Sequence, residues 1–285
     1  LPAGVGAEWS EKPQVAIRQL HHPDRDLAAP SGAHPSWTAE SDKEDANLGA
    51  SVGTAGDVNG DGYDDVIVGA YRYDNGQNNE GRAFVYHGSA LGLSSTADWT
   101  AESDQGGALL GWSVGTAGDV NGDGYDDVIV GAPWYGNGQT YEGRAFVYHG
   151  SASGLSTTPN WTAESDHQSA LFGGSVGTAG DVNGDGYDDV IVGASSYDNG
   201  YADEGGVVGY HGSPSGLSTT PDCTAESGQL NASFGSSGTA GDVNGDGYDD
   251  VIGGAPNYDH GQTDEGLAVV FHGHGSHGRA TAKPR

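Results

Sequence analysis

One nine-residue string carries the chemistry of this sequence, and it occurs four times. In the first copy, Asp57-Val-Asn59-Gly-Asp61-Gly62-Tyr63-Asp64-Asp65, oxygen-bearing side chains stand at alternate positions. Asp57, Asn59 and Asp61 can aim oxygens at one centre, and Gly62 permits the sharp turn that follows. Tyr63 can lend its backbone carbonyl, and Asp65 closes the set from the start of the next strand. Five or more hard oxygen donors in a flexible loop suit Ca²⁺; Mg²⁺ wants a tighter octahedron, and transition metals want nitrogen or sulfur. The same ligands recur as Asp119, Asn121, Asp123, Tyr125 and Asp127, as Asp181, Asn183, Asp185, Tyr187 and Asp189, and as Asp242, Asn244, Asp246, Tyr248 and Asp250. An EF-hand opens in the same way but needs Glu at loop position 12, where Val68 stands. The plainer reading is a metal-free Asp/Asn/Gly turn, and four identical ligand sets speak against it. The string predicts four Ca²⁺ sites, one per repeat, on short β-hairpins.

The elements that must hold these loops are themselves repeated. The segment Gly-Asp-Val-Asn-Gly-Asp-Gly-Tyr-Asp-Asp-Val-Ile begins at Gly56, Gly118, Gly180 and Gly241, in steps of 62, 62 and 61 residues. Two further landmarks keep the same phase. Trp37-Thr-Ala-Glu-Ser returns from Trp99, Trp161 and Cys223, and an apolar segment ends at His87, His149, His211 and His272. Each unit reads as four strands, such as residues 110–117, the apolar run 127–132, then 144–149 and 161–165. Four antiparallel strands in about 60 residues make one propeller blade. A lone blade cannot bury both faces, so blades must pack around an axis.

The expected fold is therefore all-β: a β-propeller of four-stranded antiparallel blades over residues 37–98, 99–160, 161–222 and 223–273. An N-terminal extension (1–36) and a flexible tail (274–285) flank it. Gln14–Leu20 is the one strand-like run in the extension. The last unit stops after its third strand, while a spare outer strand, Trp37–Ser41, precedes the first. The simplest resolution is that this N-terminal strand completes the last blade, in cis or between chains, and so removes an exposed edge. Pairing between chains would give a homo-oligomeric ring or a filament.

Composition narrows the function classes. Of 285 residues, 40 are acidic and 10 basic, a formal net charge of −30, so a phosphate backbone is repelled and nucleic-acid binding is excluded. Anionic membrane surfaces are disfavoured, and no apolar stretch approaches the roughly 20 residues of a spanning helix, so membrane insertion is not expected. With 52 Gly and 34% hydrophobic residues, the chain suits short strands and tight turns. Cys223 stands alone, so no intrachain disulfide forms. The chain contains no Met and so begins after a cleavage or is a fragment; removal of a secretory signal would account for it.

Other signals are weaker. A G-x-S-x-G pattern surrounds Ser51, Ser113 and Ser175, but a nucleophile elbow needs a strand-turn-helix, and these serines lie in repeated small-residue strands. The four strand-end histidines read as local hydrogen-bonding residues, and Trp37, Trp99 and Trp161 as blade packing. Cys223 reads as a buried apolar substitute for that tryptophan.

The sequence resembles the FG-GAP repeat family, the units of the integrin α-subunit propeller and of many secreted bacterial proteins. Phe172-Gly173 and Phe234-Gly235 match "FG"; Gly131-Ala132-Pro133 and Gly254-Ala255-Pro256 match "GAP". Leu48-Gly49, Leu110-Gly111, Gly69-Ala70-Tyr71 and Gly193-Ala194-Ser195 are degenerate copies, and the resemblance covers residues 37–273. It implies Ca²⁺ loops on one propeller face and a usual count of seven blades, of which this chain supplies four. The expected function is that of an extracellular or cell-surface, calcium-stabilised module for binding and adhesion or for structural assembly. Its partner would be an extracellular protein or glycan, or copies of itself. Like residues around a ring suit multivalent binding better than catalysis, so the chain is expected not to be an enzyme. The alternative is a propeller-based hydrolase or lyase acting on an extracellular glycan or lipid, because some glycan- and phospholipid-cleaving proteins carry such propellers.

Overall fold

The computed structural model describes residues 36–275. The N-terminal extension up to residue 35, with its strand-like run Gln14–Leu20, and the tail beyond Gly275 lie outside the described residues.

Fifteen strands and no helix are found among the described residues. Blade 1 comprises β1 (Ser51–Gly56), β2 (Asp65–Ala70), β3 (Arg82–Tyr86) and β4 (Trp99–Glu102). Blade 2 comprises β5 (Ser113–Gly118), β6 (Asp127–Ala132), β7 (Arg144–Tyr148) and β8 (Trp161–Glu164). Blade 3 comprises β9 (Phe172–Gly180), β10 (Asp189–Ala194), β11 (Gly206–Tyr210) and β12 (Cys223–Glu226). Blade 4 has three strands, β13 (Ser236–Gly241), β14 (Asp250–Ala255) and β15 (Leu267–Phe271). Every sheet is an antiparallel meander in chain order, and the first strands β1, β5, β9 and β13 pack in succession.

The core lies between blades rather than within them. The rear face of blade 1 (Ala55, Val58, Ile67, Ala83, Val85) meets the front face of blade 2 (Val114, Val128, Val130, Phe146, Tyr148). The same set recurs between blades 2 and 3 and between blades 3 and 4. Valine and isoleucine alternate across β2, β6 and β10, so one strand feeds both interfaces.

The backbone at each junction leaves no space for a side chain. Gly69, Gly131 and Gly193 abut the carbonyl oxygens of Gly111, Gly173 and Gly235 in the following blade, and a Cβ there would overlap them. Gly56, Gly118 and Gly180 have φ of 75°, 74° and 72°, where a side chain is strained, and each receives a carboxylate from the next blade.

Completion of the last blade in cis is not found. β15 pairs with β14 alone among the described residues, and Trp37–Ser41 forms no strand. Trp37 packs instead on blade 1. Its ring meets Tyr86 edge-on at 4.8 Å, and its Nε1 donates to the Ser94 carbonyl at 2.8 Å.

Candidate metal centres

Each aspartate loop folds around its own side chains. In the blade 2 copy, Asp119 Oδ1 accepts from the backbone N–H of Gly122 (2.7 Å) and Asp123 (3.0 Å), and Oδ2 accepts from Gly124 (2.8 Å). Asn121 Oδ1 accepts from Asp123 N–H at 2.9 Å, and Asp123 Oδ1 from Tyr125 N–H at 3.1 Å. Asp181, Asn183 and Asp185, and Asp242, Asn244 and Asp246, repeat this pattern, and Asp57, Asn59 and Asp61 repeat it without the bond from Gly60. These are Asx turns that fix the loop without any ion. A carboxylate oxygen has two lone pairs, so these bonds leave further acceptor capacity on the loop.

The ninth position plays a different part from the exposed ones. Asp65, Asp127, Asp189 and Asp250 are buried. Asp127 Oδ2 accepts from Val120 N–H (3.1 Å) and Oδ1 from Gly150 N–H (2.8 Å), so this carboxylate ties the loop to the end of β7. Asp65, Asp189 and Asp250 make the equivalent pair of bonds. Burial pushes the Asp127 and Asp189 carboxyls up to about 7, against the two backbone hydrogen bonds that pull each down.

The donor set fits a hard divalent cation. It is all oxygen, and it includes a buried carboxylate that such a charge would keep ionised. The side chains do not stand in a closed shell, however. Among the described residues, one set of three carboxylates brings oxygens within 4.8 Å of one another, Glu80, Glu102 and Asp104, at the opposite end of blade 1. Glu80 there accepts from Asn75 N–H (2.6 Å) and Glu102 pairs with Arg82 (2.7 Å).

The remaining aspartate of the Asp-Asp pairs was not singled out from the sequence, and in blades 2, 3 and 4 it has a role of its own. Asp126 Oδ2 accepts from Asp57 N–H (2.7 Å), while Asp126 N–H donates to the Asp57 carbonyl (3.2 Å). Asp188 clamps Asp119, and Asp249 clamps Asp181, in the same way. Beside each clamp, the rings of Tyr125, Tyr187 and Tyr248 cover Gly60, Gly122 and Gly184 of the preceding loop. The loops thus form one continuous chain along one face. The only signal in sequence was that both aspartates recur while one sufficed as a ligand.

The other candidates resolve locally. Ser113 Oγ donates to the Gly173 carbonyl (2.7 Å) and Ser175 Oγ to that of Ser237 (3.2 Å), so these serines join blades inside strands. His272 lies 3.2 Å from Asp250, and His149 lies 3.2 Å from Asn121 Nδ2; burial lowers the His149 pKa. Trp99 and Trp161 sit edge-on to Tyr148 and Tyr210 of the following blade, both at 4.8 Å. Cys223, expected to be buried, is exposed. Phe271 takes the tyrosine's place in blade 4, and a cysteine brings no ring to meet it.

The face opposite the aspartate loops is aromatic. Trp112 is 43% exposed, Trp134 44% and Tyr141 46%. Tyr71 stands edge-on to Trp112 at 4.9 Å, and Trp134 tilts over Tyr141 at 5.3 Å. A groove lined by Trp112, Pro133, Trp134, Leu171 and Ser195 opens between them.

Known proteins share the repeat. The FG-GAP repeat model matches residues 48–86, 110–148, 172–210 and 234–271. Integrin alpha-PS2 of Drosophila melanogaster is 37% identical over 194 residues, covering 66% of this chain and 13% of that protein. Integrin alpha pat-2 of Caenorhabditis elegans is 35% identical over 226 residues, covering 73% and 18%. Phosphatidylinositol-glycan-specific phospholipase D of Rattus norvegicus is 35% identical over 179 residues, covering 59% and 21%. Among solved structures, an exotype rhamnogalacturonan lyase aligns over 70% of this chain with a TM-score of 0.45 and 18% identity. The chain thus spans less than a quarter of the length of each of these curated relatives. The expectation that the chain is not an enzyme is overturned by the phospholipase D, which is an enzyme by name and is similar to this chain over 179 residues. No helix among the described residues is long and apolar enough to cross a membrane. Repeat phase, blade topology, interblade clamps and family match agree: the chain belongs to the FG-GAP repeat family.

Proposed function

We propose that this chain is a calcium-stabilised binding module that works outside the cell and presents its aromatic face to an extracellular protein or glycan. One observation carries the reading: Trp112 and Trp134 stand exposed along a groove on the face opposite the aspartate loops, with exposed Tyr141 against Trp134. Large aromatic rings left in water are costly unless something covers them, and Trp and Tyr dominate binding hot spots. The two faces divide the labour. Four Ca²⁺, one per loop, stiffen one face by holding the aspartates of adjacent clamped loops, and the rigid blades fix the aromatic loops on the other. Extracellular modules bind Ca²⁺ at roughly 0.1–1 mM, a range that suits exposed loops of this kind.

The test is binding to immobilised glycan and matrix-protein arrays in calcium, by the wild type and by a Trp112→Ala/Trp134→Ala double variant. The double variant is expected to lose at least tenfold in affinity for whatever the wild type retains, an effect of about 1.4 kcal/mol or more. Equal retention of both proteins would remove the aromatic face from the reading.

A further inference from the structure

Three blade junctions are built from one set of bonds, and the two ends of the array carry the unmatched halves of a fourth. At each junction the valine after the first loop aspartate accepts from a backbone N–H that follows the third strand of the next blade. Ser151 donates to Val58 (3.1 Å) and Ser213 to Val120 (3.0 Å), while His274 does so to Val182 (2.9 Å). The Asp126, Asp188 and Asp249 clamps and the Tyr125, Tyr187 and Tyr248 covers accompany these bonds. In blade 4, the Val243 carbonyl and Asp242 N–H have no such partner among the described residues, and a Cβ placed on Gly241 or Gly245 would meet nothing within 4 Å. In blade 1, Asp64, Tyr63 and Ser89, the residues that would supply those partners, are exposed and make none of these bonds there.

The apolar faces are halved in the same way. Ile67, Val58 and Val85 on the rear of blade 1 are 0% exposed; their counterparts on the rear of blade 4, Ile252, Val243 and Val270, are 42%, 57% and 43% exposed. On the front of blade 1, Val52 is 65% exposed where Val114 of blade 2 is 8%. Trp37 already occupies, against Tyr86 and Ser94, the place that Trp99 holds against Tyr148 and Ser156. Trp37–Ser41 therefore stands where the outer strand of a preceding blade belongs, and β15 is the strand that lacks one.

We propose that two copies of this chain close head to tail into one ring, each seating the rear of its blade 4 on the front of the other's blade 1. Trp37–Glu40 of each copy then pairs with β15 of the other. The register follows from the pairing of β3 with β4, where Val85 faces Trp99 and Arg82 faces Glu102. Val270 would face Trp37, and Leu267 would face Glu40. The occupant is a second copy because the exposed surface continues an interface that the fold already makes three times. A heterologous contact of this kind closes a ring when the rotation allows and otherwise extends into a filament. The proposal stands apart from calcium binding and from the aromatic face.

Light scattering after size exclusion at micromolar concentration tests it. The expected mass is twice the 28.9 kDa of one chain. Val52→Asp and Ile252→Asp, both at exposed positions, are each expected to be monomeric. Mixed in equal amounts they are expected to recover a dimer, because one junction is then formed from two unmodified faces. A face-to-face dimer would not be rescued by mixing, so failure of rescue overturns the head-to-tail geometry. A wild-type monomer overturns the proposal outright, and a ladder of rising mass overturns closure. In a Cys223→Ser background, Ser89→Cys with Val243→Cys is expected to crosslink copies on oxidation. That readout stands even if a charged variant fails to fold, and its absence counts against the interface.

Discussion

Blades 2 and 4 carry nearly the same residues in two different surroundings. In β6 every residue from Asp127 to Ala132 is buried, whereas in β14 only Asp250, Gly253 and Ala255 are. Ile129 is 0% exposed and Ile252 is 42% exposed, although both follow the same Asp-Asp-Val triplet. The difference lies in neighbours: blade 3 covers the rear of blade 2, and nothing described covers the rear of blade 4. A blade's sequence thus specifies a sheet with two apolar faces, and stability comes from the stack. Repeat arrays behave in this way, with nearest-neighbour interfaces carrying much of the energy.

The largest effect is expected from removing what all four blades share. If each loop holds one Ca²⁺ at a free concentration tenfold above Kd, each site adds about 1.4 kcal/mol, and four independent sites about 6 kcal/mol. Chelation should therefore lower the melting temperature of the whole array, and limited proteolysis should cut first in the blade 4 loop around Gly245, which no following blade covers. An unchanged melt in EDTA would remove calcium from the account of stability.

A core substitution separates the two blades directly. Ile129→Ala should cost about 2–5 kcal/mol, the range for an isoleucine emptied from a packed interior. Ile252→Ala, measured in a Val52→Asp background so that no second copy covers it, should cost well under about 1 kcal/mol. Urea denaturation measures both. Equal losses would mean that blade 4 is as covered as blade 2 and that its exposure is not the cause of the difference.

The interloop clamp gives a smaller contrast. Asp126→Ala deprives Asp57 N–H of its acceptor and should cost about 1–3 kcal/mol, the penalty for an unsatisfied, partly buried donor. Asp64→Ala, at the same place in blade 1 but with nothing to clamp among the described residues, should be near neutral in the monomer. Hydrogen exchange at the Asp57 amide would report the loss locally.

Much of this was legible beforehand, and the rest has a common cause. The run 127–132 is β6 residue for residue, and 161–165 and 144–149 overshoot β8 and β7 by one position. The first strand expected from 110 begins only at Ser113 in blade 2, whereas its counterpart in blade 3 runs from Phe172. The aspartate loops fall where their spacing placed them. What sequence did not show is contact across one repeat step: the Asp126 clamp, the glycines pressed on the next blade's carbonyls, the packing of Trp37 on blade 1. Periodicity within a strand says which faces are apolar, but not which neighbour a polar side chain meets some 60 residues away. The exposure of Cys223 failed for the same reason, since its slot is defined by a ring in blade 4.

That slot supports the smallest prediction, a gain. Trp99 and Trp161 bridge from the outer strand of one blade to a tyrosine of the next, at 4.8 Å in both cases. At the third such place the chain has Cys223 opposite Gly209, its sulfur lying over that glycine, and blade 4 has Phe271 in place of the tyrosine. In blades 1 and 2 the residues opposite the tryptophan are Val85 and Val147, so Gly209 leaves more room than a tryptophan has elsewhere. Cys223→Trp should therefore pack its ring against Phe271 without displacing backbone. An aromatic pair is worth about 0.5–1.5 kcal/mol beyond the area it buries. The gain should appear as a higher urea midpoint and as slower exchange in β15, because the ring would fasten blade 4 to blade 3. Cys223→Ala serves as the control that removes the thiol without adding the ring. If Cys223→Trp is no more stable than Cys223→Ala, the tryptophans of the outer strands owe their burial to the tyrosine hydroxyl side of the slot, which Phe271 lacks, and not to edge-on packing of rings.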